Sequence, residues 1–104
     1  MRLPEKLEPK FRVAIEEFLE RLRVELQDDF EAYLFGSLAR GDYLIDSDVD
    51  IIIVTDRLVG MKPWERLAYL RRLAPRNMGF DILCYTREEF REAQETLTDI
   101  IKIK

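Results

Sequence analysis

Four consecutive β-branched residues, Ile51-Ile52-Ile53-Val54, follow directly on Asp48-Val49-Asp50. A strand turns alternate side chains to opposite faces, so a run apolar at every position is buried on both sides. Asp48 to Thr55 is therefore expected as a central strand, and the rest of the chain must supply its neighbours and covers.

The covers are legible as periodic helices. Pro9 suits the first position of a helix, and Phe11, Ile15, Phe18, Leu22 and Leu26 then recur every three or four residues as an apolar stripe. Glu17 and Arg21 stand four apart on the other side, and the helix should fade near Asp28-Asp29. Phe30 to Phe35 predicts a strand ending at Gly36, Ser37 to Gly41 a tight helical turn, and Asp42 to Ser47 a loop. Pro63 starts another helix, with Trp64, Leu67, Leu70 and Ala74 on one face and Leu73 at its edge, stopped by Pro75. Gly79 to Tyr85 predicts a third strand. Thr86 and Glu89 form a capping box opening a last helix, and Leu97 to Lys104 fits either its continuation or a short edge strand. The order α-β-α-β-α-β-α describes a small α/β domain, with residues 1–104 expected as one unit.

Composition narrows the functions. Seventeen Lys+Arg against 21 Asp+Glu leave a net charge of −4, which argues against duplex DNA, whose binding needs a basic surface to displace counterions. A nucleotide stays admissible, because a metal can supply positive charge locally. The absence of histidine removes histidine triads and histidine-ligated zinc. No apolar run approaches the roughly 20 residues that span a bilayer. Nothing behind Met1-Arg2-Leu3-Pro4-Glu5 resembles a signal peptide, and the lone Cys84 has no disulfide partner, so a cytoplasmic location is expected. Cys84 reads as a small core residue, since no base is at hand to activate it. Charged residues at 37% and scarce amides (Asn77, Gln27 and Gln94) resemble the composition of a thermophile's protein. Composition leaves a homo-oligomer open.

The chemistry concentrates in Gly36-Ser37-Leu38-Ala39-Arg40-Gly41 and Asp46-Ser47-Asp48-Val49-Asp50. Where a strand hands over to a helical turn, free N–H groups attract an anion, and glycine lets phosphate approach. The plain alternative is a turn glycine with Ser37 as a helix cap. Asp48 and Asp50 are two apart on a strand and so project from one face. Two carboxylates that close repel each other unless a proton or cation intervenes, and hard oxygen ligands of this kind suit Mg²⁺. Asp81 is a third acid inside the apolar strand Phe80-Asp81-Ile82-Leu83-Cys84. If that strand neighbours the first, Asp81 joins the pair, and two metals there would clamp the attacking and leaving oxygens of a phosphoryl displacement. Otherwise it is an edge acid or an ion-pair partner of a nearby arginine such as Arg76. Arg40 is within reach of the same phosphate, or else pairs with Asp42 or Asp46. Gly36 and Gly41 mimic the glycines of a P-loop, but Asp42-Tyr43 stand where Lys and Ser/Thr belong. Asp46, Asp48 and Asp50 mimic a calcium loop, but Ile51 and Arg57 occupy the positions of its Gly and Glu.

The pattern Gly36-Ser37-x-x-Arg40-Gly41, then Ser47-Asp48-x-Asp50, resembles the signature of the DNA polymerase β-like nucleotidyltransferases, and the short length resembles their minimal nucleotidyltransferase family. The resemblance runs from Tyr33 to about Glu89. It implies a small mixed sheet flanked by helices, with Gly36, Ser37, Arg40 and Ser47 on the nucleotide side. It implies Asp48, Asp50 and Asp81 on Mg²⁺, two ions in all, with Asp81 also the base for an acceptor hydroxyl. ATP is the implied substrate, donating AMP. Minimal members are commonly paired with a helical HEPN-domain toxin, whose tyrosine receives the AMP. Two other readings stand beside that one: an antitoxin that blocks its partner sterically, and an enzyme modifying RNA or an antibiotic alone, which would lack a substrate domain.

Overall fold

The Ile51–Val54 run is the buried centre of a four-stranded sheet, each of its residues fully shielded from solvent. The computed structural model describes residues 1–104. Its elements are α1 (Pro9–Leu26), β1 (Glu31–Leu34), α2 (Gly36–Arg40), β2 (Val49–Val54), α3 (Pro63–Leu73), β3 (Phe80–Tyr85), α4 (Arg87–Ala93) and β4 (Ile101–Lys102). The sheet order is β3-β2-β1-β4, with β1 antiparallel to β2 and β4, and β2 parallel to β3. Parallel neighbours cannot be joined by a tight turn, and α3 provides the crossover between them.

The sheet is covered unequally. Phe11, Ile15, Phe18, Leu22 and Leu26 of α1 join Leu70 and Ala74 from α3 and its end against Val49, Ile51, Ile53 and Ile82, forming the main core. Opposite it, Tyr33, Ile52 and Val54 pack on Phe90 of α4. The seven residues of α4 reach only the far end of β2 and β3, where Val54 pairs with Tyr85, so the end carrying Asp50 and Asp81 is left open. No helix is long and apolar enough to cross a membrane.

Two details depart from, or complete, the sequence reading. The open question at the C-terminus resolves as an edge strand: Ile101 and Lys102 pair with Leu34 and Tyr33, and Ile103 is buried behind them. In α3, Trp64 does not join the buried face; it is 65% exposed, with the Lys62 ammonium over its ring. Arg66 is buried with Leu70 instead. Leu67, Leu70 and Ala74 pack on the core as expected, with Leu73 beside them. Arg66 is buried because it has a partner that apolar spacing does not reveal: its guanidinium binds the Glu89 carboxylate at 2.6 and 3.4 Å and donates to the Met61 carbonyl. Cys84 lies partly buried beside the core, and burial pushes its thiol up to about 11, so it is protonated at neutral pH.

Glu89 serves two elements. Its carboxylate accepts from the Thr86 N–H and its own N–H donates to Thr86 Oγ1, completing the expected capping box, while it also neutralises Arg66. The Arg66 hydrogen bond, and after it the Thr86 N–H, hold the Glu89 carboxyl below its usual range. Glu89→Gln keeps an acceptor for Thr86 but removes the charge facing a buried guanidinium. We expect a loss on the order of 1–2 kcal/mol in urea unfolding, less than for a fully buried pair because Glu89 is half exposed. A depressed carboxyl stabilises the fold above its unfolded value and loses that contribution as pH falls through the lowered folded value. Wild type and variant should therefore converge on acidification, and a stability gap that persists through the acid range would refute the assignment.

Candidate active site

The open end of the sheet is assembled from two turns. Phe35 is extended, and its N–H donates to the Asp50 carbonyl at 3.0 Å, tying the β1–α2 turn to β2. Gly36 follows with φ +67°, a conformation that L side chains rarely adopt. The turn of α2 ends at Gly41, whose N–H bonds the Ser37 carbonyl. Because the cap position falls on Phe35, Ser37 lies inside the turn, not at its cap. On the other side, Val49 N–H donates to the Gly79 carbonyl and starts the β2–β3 ladder.

That ladder brings the acids together. Asp50 and Asp81 are register partners on parallel neighbours, so their side chains leave the same face of the sheet. Asp48 was expected on the same strand and face, but β2 begins at Val49; Asp48 sits in the loop just before it, near enough to Asp50 to act on its charge. Asp81 is exposed on the edge strand and pairs with no arginine, Arg76 included. Asp50 is half-buried. Burial raises its carboxyl above the usual range, Asp81 and then Asp48 raise it further, and Arg40 partly offsets them. Arg40 itself is salt-bridged to Asp42 at 3.2 Å. Ser47 closes the preceding turn, its Oγ accepting from the Leu44 N–H at 2.8 Å.

As the side chains stand, no three acids are gathered at the spacing of a shared metal. The donor set nevertheless fits a hard divalent cation, being three carboxylates at one open sheet end whose mutual repulsion such a charge would relieve. Two glycines keep the space around them clear. A Cβ on Gly36 would fall into the Asp50 carboxylate, and one on Gly79 into the Asp48 carboxylate. A cleft of about 600 Å³ between α1 and the sheet end reaches Asp48 past Lys10, Asp46, Ser47 and Gly79.

A family model described as "Nucleotidyltransferase domain" matches residues 15–104, which include the Gly36-Ser37 turn, Gly79 and all three acids. This chain belongs to the nucleotidyltransferase domain family. It is 35% identical over 71 residues to "Putative protein adenylyltransferase MJ0141" of Methanocaldococcus jannaschii, spanning 66% of this chain and 69% of that protein. It is 48% identical over 44 residues to "Putative protein adenylyltransferase MJ0604" of the same organism, spanning 41% of this chain and 44% of that one. A solved structure from Sulfolobus solfataricus, described as a putative nucleotidyltransferase, superposes with TM-score 0.65 at 24% identity. It covers 94% of this chain and 88% of its own, and speaks for the fold alone. A second structure described in the same words has TM-score 0.64 at 25% identity, covering 86% of this chain and 97% of that one. The mixed sheet flanked by helices is thus the nucleotidyltransferase fold, and nucleotidyl transfer is the chemistry the family carries.

Within that family frame, Gly79 is the site feature the sequence reading passed over. It marked only the start of a strand there; its contact with Asp48 depends on which strand lies beside β2. Had that neighbour been known, a glycine immediately before an acid-bearing strand would have been the signal.

Two expectations follow from this geometry. Asp50 carries a carboxyl raised in the folded state, so above that raised value it weakens the metal-free fold and the penalty fades as pH falls. Asp50→Asn should melt at or above the wild-type temperature at neutral pH without metal; a clear drop would make Asp50 a structural acid. Gly79→Ala meets only the end of a short side chain, so Asp48 turns aside and the melting temperature moves by at most a few degrees. Affinity for Mg²⁺–ATP should nonetheless fall, whereas Gly60→Ala, which meets nothing within 4 Å, should leave it unchanged.

Proposed function

We propose that this chain transfers AMP from Mg²⁺–ATP to a hydroxyl on a protein partner, and that the acceptor is a tyrosine of a helical HEPN-type toxin. The observation that carries the reading is the register pairing of Asp50 with Asp81, with the Asp50 carboxylate against Gly36 of the Gly36-Ser37 turn and Asp48 close by. The names of the two Methanocaldococcus jannaschii relatives support a protein acceptor, and the minimal-family resemblance supports the toxin partner.

In this reading Gly36 and Ser37 hold the triphosphate, with N–H and hydroxyl donors on its oxygens. Arg40, exposed and only ion-paired to Asp42, exchanges that partner for phosphate charge. Ser47 fixes the loop that delivers Asp48. Asp48, Asp50 and Asp81 would hold Mg²⁺, whose positive charge would neutralise the phosphates and the charge developing in transfer. Asp81, without an ion-pair partner at the edge of the sheet, accepts the proton of the acceptor hydroxyl. The hydroxyl oxygen attacks the α-phosphorus, the bond to the bridging oxygen breaks, and pyrophosphate leaves with those electrons.

Calorimetry should find ATP bound more tightly with Mg²⁺ than without; equal affinity would count against the site. Asp81→Asn should lower transfer by roughly 10²–10⁴-fold, while ATP and partner binding largely survive. In cells, that variant should fail to neutralise the toxin. A protein that blocks its partner sterically would still neutralise it, and that outcome would end the enzymatic reading.

A further inference from the structure

Most guanidinium groups of this acidic chain are occupied. Arg21 pairs with Glu17 and donates to the Leu73 carbonyl; Arg23 pairs with Glu20, Arg40 with Asp42, Arg66 with Glu89 and Arg87 with Asp56. Arg2 and Arg91 stand free singly, whereas Arg71, Arg72 and Arg76 stand free together. All three are exposed, and none enters an ion pair or donates a side-chain hydrogen bond. They lie at the end of α3 and in the turn leading to β3, lining one groove of about 940 Å³ that runs to Gly79 and Asp48. Three unpaired arginines beside one another repel, and a net charge of −4 left ample acid elsewhere to pair them.

The groove meets the acid site from one side only. Of the site residues its lining includes Asp48 and Gly79, and neither Asp50 and Asp81 nor Gly36, Ser37 and Arg40, the residues assigned to the triphosphate. Gly36 closes on Asp50, whereas Gly79, at the groove's end, closes on Asp48. Displacement at phosphorus places the entering and leaving oxygens roughly in line. A chain entering along the arginine groove therefore comes to Asp48 without crossing the seat of the leaving pyrophosphate, and its hydroxyl passes Asp48 to reach Asp81.

We propose that Arg71, Arg72 and Arg76 dock an acidic segment of the acceptor protein, holding its tyrosine hydroxyl at the Asp48 end of the groove. This rests on the nucleotidyl-transfer reading above and adds the chemistry of the partner. Arginine suits the role because its planar fork binds carboxylates in bidentate pairs while remaining charged at all relevant pH. Complementary charge at a groove rim mainly speeds and orients encounter, so the arginines set which chain is presented, and the carboxylates act on its hydroxyl.

The test uses the full chain and two fluorescent peptides, one with a tyrosine flanked by glutamates and one with the same tyrosine flanked by glutamines. Binding is read by anisotropy, transfer by label from ATP, and Mg²⁺–ATP affinity by calorimetry. We expect the glutamate peptide to bind more tightly, with an affinity that falls as salt rises. The triple variant Arg71→Gln, Arg72→Gln, Arg76→Gln should lose roughly tenfold of that affinity and raise KM for the peptide with kcat and ATP affinity unchanged. Equal binding of the two peptides, no binding of either, or full retention by the triple variant overturns the docking surface. So does a single-stranded RNA oligonucleotide that binds more tightly than the glutamate peptide through the same arginines. Label passing equally to both peptides would keep the transfer reading and remove the docking surface. Arginine-dependent peptide binding with no label transferred would do the reverse.

Discussion

Parallel pairing of β2 with β3 is the constraint on which the site depends. It holds Asp50 and Asp81 on adjacent strands and on one face, an arrangement that like charges would leave if their backbones allowed it. The backbones do not allow it, because Ile51, Ile52, Ile53 and Val54 are buried immediately beyond Asp50 and lock the register. Slipping β2 by one residue would turn Asp50 to the other face and disturb both cores at once. The hydrophobic run therefore stabilises the sheet and also maintains electrostatic tension at its open end, visible in the raised Asp50 carboxyl.

The unequal cover of the sheet divides labour. The face packed by α1 and α3 carries the larger core, including all five apolar positions of the α1 stripe. The opposite face is covered by a short α4 and the C-terminal residues, and the cover stops before the acids. Arg66 links the two sides: it belongs to α3, yet its partner Glu89 is the residue that caps α4. Glycines complete the division, since Gly36 and Gly79 withhold side chains where the Asp50 and Asp48 carboxylates stand.

Charge is distributed against the overall balance. A chain of net charge −4 gathers three acids at one sheet end and leaves Arg71, Arg72 and Arg76 unpaired beside them. Opposite potentials side by side suit the proposed transfer, with a metal–polyphosphate on one side and a protein chain on the other.

Much of this was legible in the residues. The periodic stripe of α1, the doubly buried β2, the capping box at Thr86 and the Gly-Ser with Asp-x-Asp pattern are local, set by side-chain periods and by spacings of a few residues. What tertiary structure decided lies between segments distant in the chain. Asp81 is 31 positions from Asp50, and only strand order makes them neighbours. Apolar spacing cannot see that Arg66 has Glu89 waiting 23 residues away. The C-terminal residues fit helix or strand alike until β1 offered Tyr33 and Leu34 a free edge. Local propensity ranks conformations of a segment; which segment meets which is settled by the burial and pairing of the whole, and a site built from three strands and their turns belongs to that second kind of information.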